Sequence, residues 1–432
     1  MNTHKHHPKM KILLTDASGL TSRQVATILS QKHHEVHVLS PPGISITNLT
    51  SHTKKSHLVP PFSASPYAWL DTILSILRSE KEPFDILFCT QEQVAILSAS
   101  ESLIQSTGVK LAVPEFESLR RVMDKVSACQ ALSDAGLPQP ESVVLNSDLE
   151  GLSQCEALLP GYVKTPIGTG STGVRRAANM DELASIVADF VAQGYFDDGG
   201  ELLVQKGVQG SLLMVCGVFD HGRLRAWHAC VRVREGTGGG ASKKVSLPLP
   251  LVGEHLQGFG WLLNWHGALS LDAILEGGRA WYIDVNPRIV EPMNGLHAGV
   301  DLVEEMLQVT LGDEVEEERP PRHGIEGVET HQLVLALMKA AQEGRMHLLG
   351  EILKVLMGFH EYAGSREELT PLDNDVVWSF LGLTVIFFGL LIGGSWAAEK
   401  LSGDTVKNYS LSPKGWKQIL GKVNAEKVKE GS

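Results

Sequence analysis

Four polar residues of types that bind metal ions and phosphate occur close together in the second half of the chain. Asp284, Asn286 and Arg288 are spaced two residues apart in the strand-like segment AWYIDVNPR, so their side chains share one face. Asp272 lies on the preceding apolar segment, and a turn at 276–278 allows a hairpin that puts Asp272 beside Asp284. Two carboxylates and an amide oxygen suit Mg²⁺, and a guanidinium suits a phosphate or carboxylate. The same spacing is also typical of an ordinary strand with a solvated polar face.

A glycine-rich loop lies upstream, in the segment YVKTPIGTGSTGV at 162–174. Its glycines follow the pattern G-x-G-x-x-G, but no helix begins at the third glycine, as the dinucleotide fingerprint requires. The next helix signal is an N-cap at Asn179 with Glu182 three residues later. The segment therefore predicts strand, glycine loop, strand and helix. Such a loop offers backbone N–H groups to phosphate oxygens and can close over them, with Lys164 pointing at the same phosphates.

Composition sets outer limits on the function. The chain has 432 residues, of which 43% are hydrophobic and 20% charged, a globular balance that allows two or three domains. A net charge of −12 argues against a nucleic-acid binder that uses a broad basic surface. The five cysteines are scattered and lack C-x-x-C spacing, so we expect free thiols in a reducing compartment rather than a zinc site or disulfides.

Hydrophobic patterning predicts an α/β beginning followed by a strand-rich middle. Residues 10–113 alternate short apolar strands (11–14, 36–39, 85–89 and 110–113) with helical stretches (21–31, 67–79 and 92–105). This alternation predicts a small Rossmann-like domain with a mainly parallel sheet. A helix is predicted around 125–135, strands dominate from 161 to 308, and 328–359 has the pattern of an amphipathic helix.

Taken in order, five segments resemble the ATP-grasp superfamily. They are MDKVSACQALSDAGLPQPE, LPGYVKTPIGTGSTGV, LLVQKGVQG, GALSLDAILEGGRAWYIDVNPR and AGVDLVEEML. The resemblance implies a pre-ATP-grasp α/β domain (10–113), a two-lobed α+β ATP-grasp domain (114–200 with the glycine flap, 201–312 with the magnesium site) and then a helical region (313–372). It also implies a reaction in which ATP phosphorylates a carboxylate and an amine attacks the acylphosphate.

The resemblance assigns roles to residues around the nucleotide. Lys125 and Lys164 match the two lysines that face the ATP phosphates, and Asp272, Asp284 and Asn286 match the ligands of two Mg²⁺ ions, for which Mn²⁺ can substitute. Arg288 matches the arginine that faces phosphate or substrate. The flap over the β- and γ-phosphates corresponds to Gly168, Gly170, Ser171, Thr172 and Gly173.

The hinge between the lobes departs from the superfamily pattern. Gln205, Lys206 and Val208 match the stretch that recognises adenine, through the carbonyl of Lys206 and the N–H of Val208. Gln205 stands where a glutamate is usual, and Ser211 replaces an acidic residue that often holds the ribose. The resemblance therefore supports phosphate chemistry more firmly than it supports a particular base.

Groups for the substrates are less specific. In VRVREGTGGGASKK (231–244), Arg232 and Arg234 could hold the substrate carboxylate and the tetrahedral oxyanion, although an exposed loop explains the same composition. Glu291 and His297 are candidate bases for the amine, although residues of either type are more often satisfied structural residues.

We therefore predict a carboxylate–amine ligase that uses ATP and Mg²⁺. The alternatives are the carboxylase branch of the superfamily, to which NPRIVEPMNGLHAGVDL is locally similar, and a non-catalytic nucleotide-binding protein. No biotinyl-carrier lysine motif accompanies the carboxylase-like segment. The sequence leaves the acid, the amine and the oligomeric state open.

A segment of 21 uncharged residues, 376–396, follows the helical region and has tryptophans near both ends. It is long enough to span a bilayer, and the alternative is a buried core helix. Seven lysines in the tail 397–432 favour a cytoplasmic tail, yet ATP chemistry and the lack of a visible secretory signal also place the catalytic domains there. Both placements hold only if the segment dips into the membrane, or packs on a partner, without crossing. We expect a membrane-associated protein whose catalytic domain faces the cytoplasm.

Overall fold

The first sheet forms the base of an N-terminal α/β unit. The computed structural model describes residues 7–43, 45–170, 172–197, 199–313, 319–359, 362–370 and 375–430. Four parallel strands lie in the order β3-β2-β1-β4, and they are β1 (Lys11–Leu14), β2 (Glu35–Ser40), β3 (Lys55–Leu58) and β4 (Ile86–Phe88). Their helices are α1 (Leu20–Gln31), α2 (Pro66–Ser79), α3 (Val94–Ala99) and α4 (Glu101–Gln105). The predicted parallel α/β unit is therefore present.

Two details of this unit differ from the prediction. The expected strand at 110–113 is wrong, because only Lys110 pairs, in an isolated bridge with Ile86. Strand β3 was not predicted, since its residues KSHL contain a single apolar side chain, Leu58, and lie at a sheet edge.

The second sheet is small and antiparallel, with strand order β5-β8-β6-β7. Its strands are β5 (Ser142–Leu145), β6 (Gly161–Lys164), β7 (Val174–Ala177) and β8 (Leu202–Lys206), and its helices are α5 (Phe116–Arg120), α6 (Lys125–Asp134) and α7 (Met180–Ala192). Asn179 caps α7 as predicted, because its side chain accepts the Glu182 N–H at 2.9 Å. The glycine loop joins β6 to β7, as the sequence predicted.

The third sheet has eight strands, ordered β13-β12-β9-β10-β11-β15-β16 with β14 beside β10. The strands are β9 (Ser211–Asp220), β10 (Arg223–Glu235), β11 (Ala241–Ser246), β12 (Gly267–Glu276), β13 (Arg279–Asn286), β14 (Arg322–His323), β15 (Glu329–His331) and β16 (Arg366–Glu367). The associated helices are α8 (Pro250–Leu262), α9 (Met293–His297) and α10 (Leu302–Leu311). A single helix over 328–359 is wrong, because this part begins with β15 and continues as α11 (Leu333–Glu343) and α12 (Arg345–Leu356).

The chain ends in two helices, α13 (Val376–Tyr409) and α14 (Pro413–Glu430). Among the described residues, one stretch, Val376–Lys429, contains an 18-residue window with mean hydropathy 2.3, enough by length and composition to cross a membrane, and 17% of that window is buried. The lysine-rich end is not a free tail. Leu411, Trp416 and Ile419 are buried in one core with residues of α2, α3 and α5.

Candidate active site

The candidate metal ligands meet on the hairpin of β12 and β13. The register pairs Asp272 directly with Asp284, and Asn286 Nδ2 donates to Asp272 Oδ2 at 3.4 Å. Burial, and secondarily the nearby Asp284 carboxylate, raise the pKa of Asp272 to about 7. The three oxygen-bearing side chains fit a divalent cation, whose charge would offset the repulsion between the two carboxylates. Their role as metal ligands stays a prediction.

Two lysines approach the same corner from the other lobe. Lys164, at the end of β6, is buried, and its Nζ donates to Gln205 Oε1 (2.7 Å) and to the Ile283 carbonyl (2.9 Å). Burial lowers the pKa of Lys164 to about 8. Lys125, the first residue of α6, lies 3.9 Å from Asp284 Oδ1. The structure therefore brings both predicted phosphate lysines within reach of the candidate metal face.

The glycine flap is held near these lysines. Lys125 Nζ donates to the Gly168 carbonyl at 2.8 Å. Glycine is required at Gly173, where φ is +79° and an added Cβ would lie 2.0 Å from Thr165 Oγ1. At Gly168 an added Cβ would lie 2.2 Å from the Thr172 carbonyl oxygen. Gly170 has φ +59°, and Ser171 lies outside the described residues.

A small pocket beside Lys125 has both apolar and polar walls. Its lining residues are Lys125, Ala128, Cys129, Leu132, Gln139, Leu203, Gln205, Ile283 and Asp284. Gln205 is buried here and its Oε1 accepts from Lys164, at the position where the resemblance implies a glutamate. Lys206 is the last residue of β8 and Val208 follows the strand; both lie outside this lining, and their predicted contacts with adenine stay predictions.

Arg288 follows the end of β13, two residues beyond Asn286. Its Nε is buried and has no hydrogen-bond partner among the described residues. Its positive charge opposes the upward shift in the pKa values of Asp272 and of Tyr409, which lies near the end of α13. An unpaired buried guanidinium N–H is costly without a partner, so an anionic group of a ligand would satisfy it.

The two candidate bases are already engaged. Glu291 has a left-handed backbone (φ +41°), and its Oε2 accepts from Lys244 Nζ (2.5 Å) and Gln332 Nε2 (2.7 Å). His297 Nδ1 lies 3.3 Å from Arg366 Nη1. The strained backbone of Glu291 is a feature common at functional sites, but its partners favour a positioning role over proton abstraction.

Arg232 and Arg234 differ in their surroundings although both lie on β10. Arg232 donates to the Gly239 carbonyl at 2.6 Å and pairs with the half-exposed Glu235 at 3.3 Å. Arg234 forms a two-oxygen ion pair with the buried Glu351 of α12, which also accepts from the Tyr362 hydroxyl. Arg234 is thus tied to the helical region, whereas Arg232 borders the glycine segment 238–240.

Glu92 is a site residue that the sequence reasoning missed. Its Oε1 accepts from the Thr169 hydroxyl of the flap, and its Oε2 accepts the Leu411 N–H at 2.5 Å. Asn408 Nδ2 donates to Ser18 Oγ at 3.1 Å in the same region. A signal did exist, because Glu92 and Ser18 follow the carboxyl ends of parallel strands β4 and β1, where α/β sheets place ligands.

Solved structures similar to this chain include enzymes determined with bound adenine nucleotides. No family model matches the chain. The biotin carboxylase domain of Hydrogenobacter thermophilus 2-oxoglutarate carboxylase, solved with MgADP and bicarbonate, is 16% identical with a TM-score of 0.58 and covers 74% of this chain and 73% of its own. An ADP complex of N5-carboxyaminoimidazole ribonucleotide synthetase is 13% identical with a TM-score of 0.58, covering 88% and 96%. The L-amino acid ligase of Bacillus licheniformis is 15% identical with a TM-score of 0.54, covering 73% and 78%.

These similarities establish the fold. The chain has the ATP-grasp fold, preceded by a parallel-sheet α/β unit and followed by a long apolar helix. The sequence prediction of fold class is therefore confirmed. At these levels of identity the comparison does not select between ligases and carboxylases.

Proposed function

We propose that the protein is an ATP-dependent ligase that activates a carboxylate as an acylphosphate and joins it to an amine, releasing ADP and phosphate. The observation that carries this proposal is that the amines of Lys125 and Lys164 lie next to the side chains of Asp272, Asp284 and Asn286. Two cationic amines and a hard-oxygen face at one point suit the terminal phosphates of ATP with its metal. Neighbours of the same fold solved with ADP or MgADP support this choice.

In this proposal the chain's own groups position and shield. Asp272, Asp284 and Asn286 would hold Mg²⁺, in one or two ions, which supplies charge neutralisation for phosphoryl transfer. Lys164 and Lys125 would neutralise phosphate oxygens, and the 168–173 flap would exclude water from a hydrolysis-prone acylphosphate. The unpartnered Nε of Arg288 would orient the acid.

A carboxylase that uses bicarbonate is the second candidate, because two biotin carboxylase structures are similar to this chain with TM-scores of 0.58 and 0.57. A non-catalytic nucleotide-binding protein is the third. The candidate substrates are small carboxylates and amines rather than nucleic acid, and we further propose that the catalytic lobes lie on the cytoplasmic side of a membrane.

The first experiment is ATP consumption by the full chain with Mg²⁺ against pooled amino acids, other small carboxylic acids and bicarbonate, with products identified by mass spectrometry. ADP, phosphate and a new amide that form only with a particular acid and amine would support the ligase. ADP formation dependent on bicarbonate would favour the carboxylase, and AMP would contradict an acylphosphate. ATP binding without turnover in every pool would favour the non-catalytic alternative.

A further inference from the structure

The apolar helix α13 is folded back on itself. Asp375, at its start, accepts from Thr50 (2.5 Å), Ser51 (2.6 Å) and Arg23 (3.4 Å), whereas Asn408, at its end, donates to Ser18 (3.1 Å). Ser18 and Arg23 lie within about 10 Å of each other, because they are five residues apart at the start of α1. A straight helix of 34 residues would separate its ends by about 50 Å. The helix must therefore reverse.

The reversal occurs at Gly394, whose φ of +56° and ψ of −139° are accessible to glycine and strained for other residues. Two arms result, 376–393 and 395–409, and their inner faces pack on α11 and α12. The shared core includes Val334, Leu337, Met338, Ala341, Leu348, Leu390 and Ala398. With both ends fixed to the same α/β unit, the hairpin keeps its two ends on the same side of any membrane that it contacts.

The outward face of the hairpin is apolar and adjoins that of α12. Of the 26 large hydrophobic residues exposed among the described residues, 15 lie between Met346 and Trp396. Ile392 is 77% and Trp396 is 65% exposed, and Arg345 of α12 donates to the Ile392 carbonyl at 3.4 Å. An apolar area this concentrated marks a contact with a membrane or another protein. We call the exposed residues of 346–359 and 376–396 the apolar platform.

Two features favour lipid as the occupant. The segment 376–396 contains no charged residue, unlike protein interfaces, which combine an apolar centre with polar groups. Cations flank the turn, since Lys400 Nζ lies 5.0 Å from the Trp396 ring and Arg345 lies at Ile392. In a chain of net charge −12, cations beside tryptophan at an apolar edge complement anionic headgroups.

We propose that the apolar platform docks on one leaflet of an anionic membrane without crossing it. The hairpin turn would enter the acyl boundary, with Lys400 and Arg345 at the headgroups. The second arm then returns from the membrane to the site, because Asn408 contacts Ser18 and Leu411 contacts Glu92. The docking surface is independent of whether the proposed ligase chemistry is correct.

Flotation of the full chain with vesicles tests the proposal. We expect co-flotation with phosphatidylcholine vesicles that contain phosphatidylglycerol, at least about fivefold weaker binding to phosphatidylcholine alone, and loss of binding in the double variant Ile392→Asp/Trp396→Asp. Trp261→Asp is the matched control, because Trp261 is 73% exposed but lies on α8, and it should float like the wild type. Thermal unfolding of each variant checks that it is folded.

Protease treatment of vesicle-bound protein with an epitope at each terminus tests the hairpin. Removal of both epitopes without detergent is expected. Protection of one epitope would show that the segment crosses and would overturn the proposal. A wild-type chain that does not bind vesicles would overturn it as well. If that chain forms a dimer that the Ile392→Asp/Trp396→Asp substitutions dissociate, the apolar platform is the interface with a second copy of the chain.

Discussion

The two sides of the candidate site are built in different ways. The nucleotide side is formed by regular strands and one helix start, where Lys125, Lys164, Asp272 and Asp284 are placed by strand register and a helix N-terminus. The other side, where we propose that the carboxylate substrate binds, is formed by loop ends of the α/β unit, the irregular chain at 288–291 and the returning arm of α13. If the proposed function is correct, local geometry sets the phosphate chemistry, whereas contacts between distant parts of the chain set the choice of substrate.

Removing the buried amine on the nucleotide side should have the largest effect. We expect Lys164→Met to lower the kcat/KM of ATP turnover by at least about 100-fold, because a charge that faces developing phosphate charge in a dry site contributes several kcal/mol. Lys11→Met is the matched control, since the Lys11 amine is also partly buried and bonded to Glu80 at 3.2 Å, but far from the lobes. Turnover close to normal in Lys164→Met would remove the nucleotide-side assignment.

Substitutions of Arg232 and Arg234 on β10 distinguish a structural role from a role in substrate binding. Arg234→Ala should lower the free energy of unfolding by about 2 kcal/mol, because it leaves the Glu351 carboxylate, 3% exposed, without its main cationic partner. Arg232→Ala should change it by less than about 0.5 kcal/mol, since its ion pair with Glu235 is half exposed. Chemical unfolding of both variants measures the contrast. Equal losses would show that Arg232 is also structural, and a raised KM for the acid in Arg232→Ala alone would assign it to substrate.

These outcomes bear on what sequence can predict. The pairing of Asp272 with Asp284 was predictable because strand residues alternate and the 276–278 turn fixes which residues pair. Helix caps and the parallel sheet followed from equally local signals. The contact of Glu92 with Leu411, 319 residues apart, has no local signal, and neither has the pairing of Arg234 with Glu351, 117 residues apart. The hairpin shape of α13 was not predictable from hydropathy, since it depends on where Asp375 and Asn408 are bound.

Glu92 connects the two sides, and its substitution tests whether they act together. Glu92→Gln keeps the size of the side chain but removes the charge that accepts from Thr169 and from the Leu411 N–H. Hydrogen bonds to a charged group contribute about 1.5–3 kcal/mol, so we expect the KM for ATP to rise roughly tenfold with little change in kcat. Steady-state kinetics measure this split. Glu101→Gln, on the adjacent α4, is the control, and an unchanged KM in Glu92→Gln would show that the flap closes independently of the C-terminal segment.

Lowering the pH should reduce the free energy of unfolding by a smaller amount, through the buried His228. His228 lies on β10 and is buried. Its Nε2 lies 2.6 Å from Asn294 Oδ1, and burial lowers its pKa to about 4. The unfolded chain takes up this proton near pH 6.5 and the folded chain near pH 4, so the contribution is constant above pH 6.5 and is lost as the pH falls from 6.5 towards 4. Between pH 7 and 5.5 the loss amounts to about 1 kcal/mol for this residue. Chemical unfolding at the two pH values, compared with His228→Gln, isolates it. If the variant loses as much stability as the wild type over this interval, the proton is taken up by another group and not by His228.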